Sequence, residues 1–175
     1  KSLSGFFMRR RELLKKIFVA IILFIHFTYS VQGYTAVDVK PFRCEMSAPV
    51  VQQLSQGVYL IFTITNLTDH KLKLLSWYTP FEGFLSDLFI IESDVGEPLD
   101  YNGMMVKRSK PTIDDYVVLL AKEKAEVKLD LTQVYTLAQG EYTVQLASRS
   151  WRYMQQELSF TNQCVANRLK IKVSL

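Results

Sequence analysis

Apolar and polar residues alternate through most of this chain with a period of two, the spacing that turns one face of a β-strand toward a core and the other toward water. In Val58 to Thr65, the residues Val58, Leu60, Phe62 and Ile64 share one face. Leu72 and Leu74 repeat the pattern, as do Val127, Leu129 and Leu131, and then Tyr142, Val144 and Leu146. It is plainest at the end, where Leu169, Ile171, Val173 and Leu175 are set between Lys170, Lys172 and Ser174. Phe42 to Met46, Asp87 to Glu92, Met104 to Lys107, Tyr116 to Leu120 and Glu157 to Phe160 are shorter segments of the same kind. Turn chemistry separates them at Asn66-Leu67-Thr68-Asp69, Thr79-Pro80, Gly96-Glu97-Pro98, Lys110-Pro111 and Gln139-Gly140. About nine or ten short strands predict an all-β fold, an antiparallel two-sheet immunoglobulin-like β-sandwich. Beyond the N-terminal stretch only Thr132 to Ala138 admits a helical reading, and no repeat or linker divides the chain.

The pattern is different before Tyr34. Met8 to Lys16 (MRRRELLKK) is basic, Ile17 to Phe27 is almost unbroken apolar, and Tyr29-Ser30-Val31-Gln32-Gly33 is small and polar. These are the three parts of a signal peptide. A leader helix is therefore expected over 1–33, starting at Met8 and cut before Tyr34, followed by one exported domain over 34–175. Arg10-Arg11 is read as part of an ordinary basic n-region rather than a twin-arginine signal. The apolar run is shorter than the roughly 20 residues that span a bilayer, so membrane contact is expected only through an uncleaved leader.

The leader also accounts for the net charge of +4. It holds six basic residues and one acid, leaving 15 basic against 16 acidic residues. A near-neutral domain lacks the basic footprint that phosphate backbones require, so no nucleic-acid partner is expected.

Cys44 and Cys164 are the only cysteines. In an oxidising compartment such a pair reads as a disulfide closing a loop of about 120 residues, against the alternative of two separate buried thiols. With His70 the only histidine after the leader, a zinc site of three or four ligands cannot readily be assembled, and no metal or cofactor is expected. His70 beside Asp69, and the pair Asp114-Asp115, are read as solvated turn residues rather than as parts of a catalytic or calcium site. No phosphate-binding glycine loop is present. Asn66-Leu67-Thr68 fits the N-glycosylation acceptor pattern. The sequence as a whole is not expected to be an enzyme.

Trp77-Tyr78-Thr79-Pro80-Phe81-Glu82-Gly83 resembles the W-x-T-P-x-E-G segment of bacterial peptidyl-Lys metalloendopeptidases, relatives of deuterolysin. The resemblance continues in order through Leu88-Phe89, Glu97-Pro98, Tyr101-Asn102-Gly103, Val106-Lys107-Arg108, Pro111 and Asp115-Tyr116. It extends to Leu129-Asp130-Leu131 and Gly140 to Val144. What it implies is the non-catalytic, β-rich N-terminal region of that family. The zinc protease domain that follows there, with H-E-x-x-H and G-T-x-x-D, has no counterpart in this sequence.

The binding residues singled out are Trp77, Thr79, Pro80, Glu82, Gly83, Lys107 and Arg108. Pro80 fixes its own φ and biases Thr79 toward extended geometry, while Gly83 allows the chain to reverse. Glu82 is placed to cap backbone N–H groups or to pair with Lys107 or Arg108. One reading is a structural corner with Trp77 between the sheets; the other is a rigid recognition loop offering an aromatic anchor and a charge. The expected function is an exported, non-catalytic protein-binding module whose partner is a secreted protease that it inhibits or helps to fold. The alternatives are an assembly protein of the cell envelope and an accessory part of a secreted metalloendopeptidase.

Overall fold

A computed structural model describes residues 40–175; the expected leader over 1–33 and its cleavage point lie outside the described residues. The described chain is all-β, with eleven strands: β1 (Phe42–Ser47), β2 (Val51–Gln53), β3 (Tyr59–Asn66), β4 (Leu72–Leu75), β5 (Phe89–Ser93), β6 (Tyr116–Leu119), β7 (Lys124–Asp130), β8 (Gly140–Leu146), β9 (Ser150–Gln155), β10 (Leu158–Gln163) and β11 (Leu169–Ser174). The expected alternation is present in their burial. Phe42, Cys44 and Met46 of β1 are buried while Arg43, Glu45 and Ser47 are exposed, and Tyr142, Val144 and Leu146 line the inner face of β8.

The strands hydrogen-bond as three sheets where two were expected: β1-β3-β7, β10-β9-β4-β6 and β2-β11-β8-β5. All pairings are antiparallel except β11 with β2, which is parallel. The physical reason for the extra sheet lies in one long hairpin. Gln155 faces Leu158 and Ser150 faces Gln163 in β9 and β10. Val144 then faces Leu169, and Gly140 faces Val173, in β8 and β11, with no slip of register between the two halves. The hairpin turns at Gln156-Glu157, both with positive φ (49° and 63°), as a two-residue primed turn requires. Its ladder opens midway, because residues 164–168 are tied to β1 instead. Cys164 is disulfide-bonded to Cys44. The Asn167 amide accepts from Met46 N–H at 2.8 Å and donates to Met46 C=O at 2.9 Å.

A second interruption falls beside the first. Leu74 faces Tyr153 and Phe89 faces Leu146, so the fourteen residues 75–88 of the β4–β5 track lie against the six residues 147–152 of its partner. The excess of eight forms an excursion out of the sheet, and it carries Trp77 to Gly83.

The core joins Phe42, Phe62, Leu74, Ile91, Val144 and Ile171. Trp151, rather than Trp77, sits in it, with its ring 6.3 Å from Phe42 and 5.8 Å from Phe62. Thr132 to Ala138 does not form the helix its pattern admits: a single 3₁₀ turn covers Leu131–Gln133, capped where Asp130 accepts from Thr132 N–H at 3.1 Å. Met104 to Lys107, expected as a strand, has no ladder partner among the described residues.

Candidate functional site

The excursion begins where β4 ends. Ser76 N–H and its hydroxyl both donate to Asp115 C=O, at 2.8 and 2.9 Å. The Thr79 hydroxyl donates to Ser76 C=O at 2.6 Å and accepts from Phe81 N–H at 3.2 Å, which caps the 3₁₀ turn Pro80–Glu82. Pro stands first in that turn, where its missing N–H costs nothing. Gly83 closes the turn at φ 71°, in a region that favours glycine. Thr79 and Pro80 are buried, and Phe81 packs edge-on against Phe62 at 5.8 Å, so the turn is fastened to the core.

Tyr78 is held in the left-handed region at φ 60°, a conformation that costs a non-glycine residue about 1 kcal/mol. Its N–H donates to Glu82 Oε1 at 2.8 Å, which offsets that cost. Glu82 also accepts from the Ser86 hydroxyl at 3.3 Å and forms an ion pair with Arg108. Its side chain is only 4% exposed and that of Arg108 16%, so this pair is shielded from water far more than an ordinary surface pair. Arg108 lies over the Trp77 ring at 5.4 Å and beside the Tyr78 ring at 5.9 Å, and Arg149 lies 5.6 Å from Tyr78. Tyr78 is thus flanked by two guanidinium groups, an arrangement favoured by the ring quadrupole.

Asp115 fastens the other side. It accepts from Thr112 N–H at 2.7 Å, from the Thr112 hydroxyl at 2.9 Å and from the Trp77 indole N–H at 2.9 Å. The Thr112 backbone N–H, then the indole and the Thr112 hydroxyl, with a smaller effect of the Arg108 charge, hold the Asp115 carboxyl below the usual carboxylate range.

A third segment, 101–108, completes the cluster. The Tyr101 hydroxyl is 2.9 Å from both Phe84 C=O and Met104 C=O, and its ring meets Tyr135 edge-on at 5.8 Å. Burial, and after it Asp87 and Glu82, raise the Tyr101 phenol above its ordinary value. Gly103 is required by this packing, since a Cβ there would come within 2.4 Å of the Tyr101 oxygen.

Of the residues expected from the sequence, Trp77, Thr79, Pro80, Glu82, Gly83 and Arg108 converge on this corner. Glu82 fills both roles foreseen for it, as a backbone cap and as a partner of Arg108. Lys107 is exposed and forms no ion pair with a described residue. Tyr78, Tyr101, Asp115 and Arg149 are not among the binding residues the sequence points to; Asp115, expected as a solvated turn residue, is instead bonded to Trp77 across 38 positions that no local pattern connects. His70 is exposed, and Asp69 pairs with Lys122 at 2.9 Å. No group of three His, Cys, Asp or Glu side chains placed to hold a metal occurs among the described residues. No helix among them is long and apolar enough to cross a membrane.

No family model matches the sequence. An extracellular protease of Aeromonas hydrophila is 32% identical over 96 residues, a match covering 54% of this chain and 27% of that protein. The chain is therefore related, weakly and over part of its length, to an extracellular protease, and the match spans about a quarter of that relative. A β-glucosidase from Listeria innocua, solved with isofagomine, superposes over 75% of this chain and 16% of its own at a TM-score of 0.34 and 14% identity; at that score the likeness carries no argument. The disulfide and the relation to an extracellular protease support a location outside the cytoplasm.

Proposed function

We propose that this domain is an accessory, non-catalytic part of an extracellular protease system, binding the protease to inhibit it or assist its folding. The observation that carries the reading is the 32% identity to an extracellular protease over 96 residues. It favours an accessory role over a free-standing module with an unrelated partner. The finer family assignment, to the β-rich N-terminal region of peptidyl-Lys metalloendopeptidases, is supported by the spaced motif residues quoted above, from Trp77 to Asp115. The immunoglobulin-like sandwich is the finer fold we propose; it is supported by the common register of β10-β9 and β8-β11, through which two of the three sheets would make one interrupted layer.

The docking surface we assign is the corner at Trp77, Gly83 and Lys107, held in place from beneath by buried Thr79 and Pro80 and by the Glu82–Arg108 pair. Its internal bonds support this role, because a surface ordered before binding loses little entropy on association. Glu82 and Arg108 neutralise each other, which argues against recognition of a strongly acidic partner. The test is a pull-down of secreted proteins on the chain, read by mass spectrometry. Recovery of a protease whose activity changes at equimolar domain is the expected result; recovery of envelope assembly proteins alone would replace this reading with a structural one.

A further inference from the structure

We infer that β10 is a self-association edge: a second copy of this chain adds its own β10 there, antiparallel, and extends the β10-β9-β4-β6 sheet across a two-fold axis. The first observation is burial. A strand with one face on a core hides every second residue, yet none of the six residues of β10 is buried. Leu158 shares a row with buried Leu72, and Phe160 shares one with buried Tyr153 and Leu74, so both stand on the core side of the sheet. They are nonetheless 63% and 41% exposed, although Phe160 stacks on Tyr153 at 5.4 Å.

The second observation is an open ladder. Gln155 and Leu158 flank a two-residue turn and so form a hydrogen-bonded pair, which points the N–H and C=O groups of Leu158, Phe160 and Asn162 into β9. Those of Ser159 and Thr161 point to the outer side, where no described backbone group meets them. The other edges are closed, short or charged, the devices by which a sheet refuses a further strand. Segment 97–99 covers β5, Asn167 takes Met46 on β1, β2 and β6 have three and four residues, and β7 carries Lys124, Glu126, Lys128 and Asp130. In β10 there is neither a charge nor a proline.

The third is self-complementarity, which makes a second copy the occupant. Centred on Phe160, antiparallel pairing sets Phe160 opposite Phe160 of the second copy, Ser159 opposite Thr161 and Leu158 opposite Asn162, with the apolar side chains on one face. Ser159 and Thr161 then exchange their free backbone groups, and the two Phe160 rings meet at a non-hydrogen-bonded pair, where side chains come closest. No like charges face each other, since Glu157 falls opposite Gln163, and 15 basic against 16 acidic residues beyond the leader leave two copies without net repulsion. The strand is ordered beforehand, with the Lys73–Glu157 ion pair at its turn and disulfide-bonded Cys164 after its end.

The experiment is sedimentation velocity over a concentration series on the full chain. A reversible dimer is expected, of the weak class that one strand per copy implies. Thr161→Pro removes an N–H that only the second copy uses and should raise the dimer dissociation constant about tenfold or more. Phe160→Lys sets like charges face to face and should weaken the dimer similarly. Melting temperatures of each variant keep a folding failure from passing as a lost contact. Phe160→Cys, with Cα atoms about 4.5 Å apart across the axis, should form a reducible covalent dimer in air; Leu158→Cys, whose counterpart lies farther along the strand, should not. A monomer at every concentration, association indifferent to Thr161→Pro and Phe160→Lys, or equal cross-linking at 158 and 160 would overturn the assignment.

Discussion

Asn66 is wholly buried at the end of β3 and serves five backbone and side-chain groups. Its amide nitrogen is within hydrogen-bond reach of the carbonyls of His70, Leu119 and Leu120, at 2.8, 3.3 and 2.7 Å. Its oxygen accepts from Thr68 N–H and the Thr68 hydroxyl. Asn66→Ala would strand these groups in the interior and is expected to cost about 2–4 kcal/mol in urea unfolding. The same bonds commit the nitrogen that a glycan would need, so the acceptor pattern at Asn66 is closed in the folded domain. The Glu82–Arg108 pair is a second buried hub. Glu82→Ala should cost about 2–4 kcal/mol, because it leaves Arg108 largely buried without its counter-charge and frees Tyr78 N–H. Adding Arg108→Met to Glu82→Ala should recover part of that loss, and a double-mutant cycle in denaturant measures how much. Asp115 sets a pH dependence. Its folded carboxyl is more acidic than in the unfolded chain, so the unfolded state binds the extra proton. The stability it gives is complete above the unfolded value near pH 4 and is lost as pH falls through the folded value. Asp115→Asn should therefore flatten the acid side of a stability–pH curve, which melting temperatures between pH 2 and 6 would reveal. Residue roles of this kind are only half legible in a sequence. Glu82 has its backbone partner four residues away, whereas the partners of Asp115 and Asn66 are brought in by strands from elsewhere.

At the scale of elements, period-two alternation located β1, β3, β8 and β11 because each buries every second residue against one layer. β9 is hardly marked by hydropathy although Trp151 and Tyr153 alternate with Arg152, since Met154 follows Tyr153 directly and the polar Gln155 and Gln156 end the run. β2 buries only Gln52, whose side chain pairs with Tyr59 N–H and C=O like a strand's backbone, at 2.8 and 3.1 Å; hydropathy carries no trace of such a contact. The count of sheets was not legible for a different reason. Alternation records which residues face inward, but not where a continuous ladder opens, and here the opening is set by the long-range ties of Cys164 and Asn167 to β1. The segment 101–108 offers an element-level test. Gly103→Ala would drive a Cβ into the Tyr101 ring and Val134, contacts of 2.4–2.7 Å that cannot persist. The loop should shift, and limited proteolysis should then cut between Met104 and Lys107 faster than in the wild type, with the cooperative unfolding of the core little changed.

For the whole molecule, the disulfide is the longest covalent constraint, with a sequence separation of 120. On the chain-entropy account, closing a loop of that size stabilises the folded state by roughly 5 kcal/mol. Cys44→Ala with Cys164→Ala should lower the unfolding free energy by an amount of that order, read in guanidinium with and without reductant. The same bond decides how the domain would carry a mechanical load. A pull on the chain through β1 and β11 passes across the sulfur bridge, and the residues between Cys44 and Cys164 stay off the load path. Such a tether can lose β11 by peeling, yet it cannot lengthen by the roughly 400 Å that those enclosed residues would release if drawn out. With the bridge closed, the domain behaves under tension as a short inextensible link; with it reduced, it becomes a long spring.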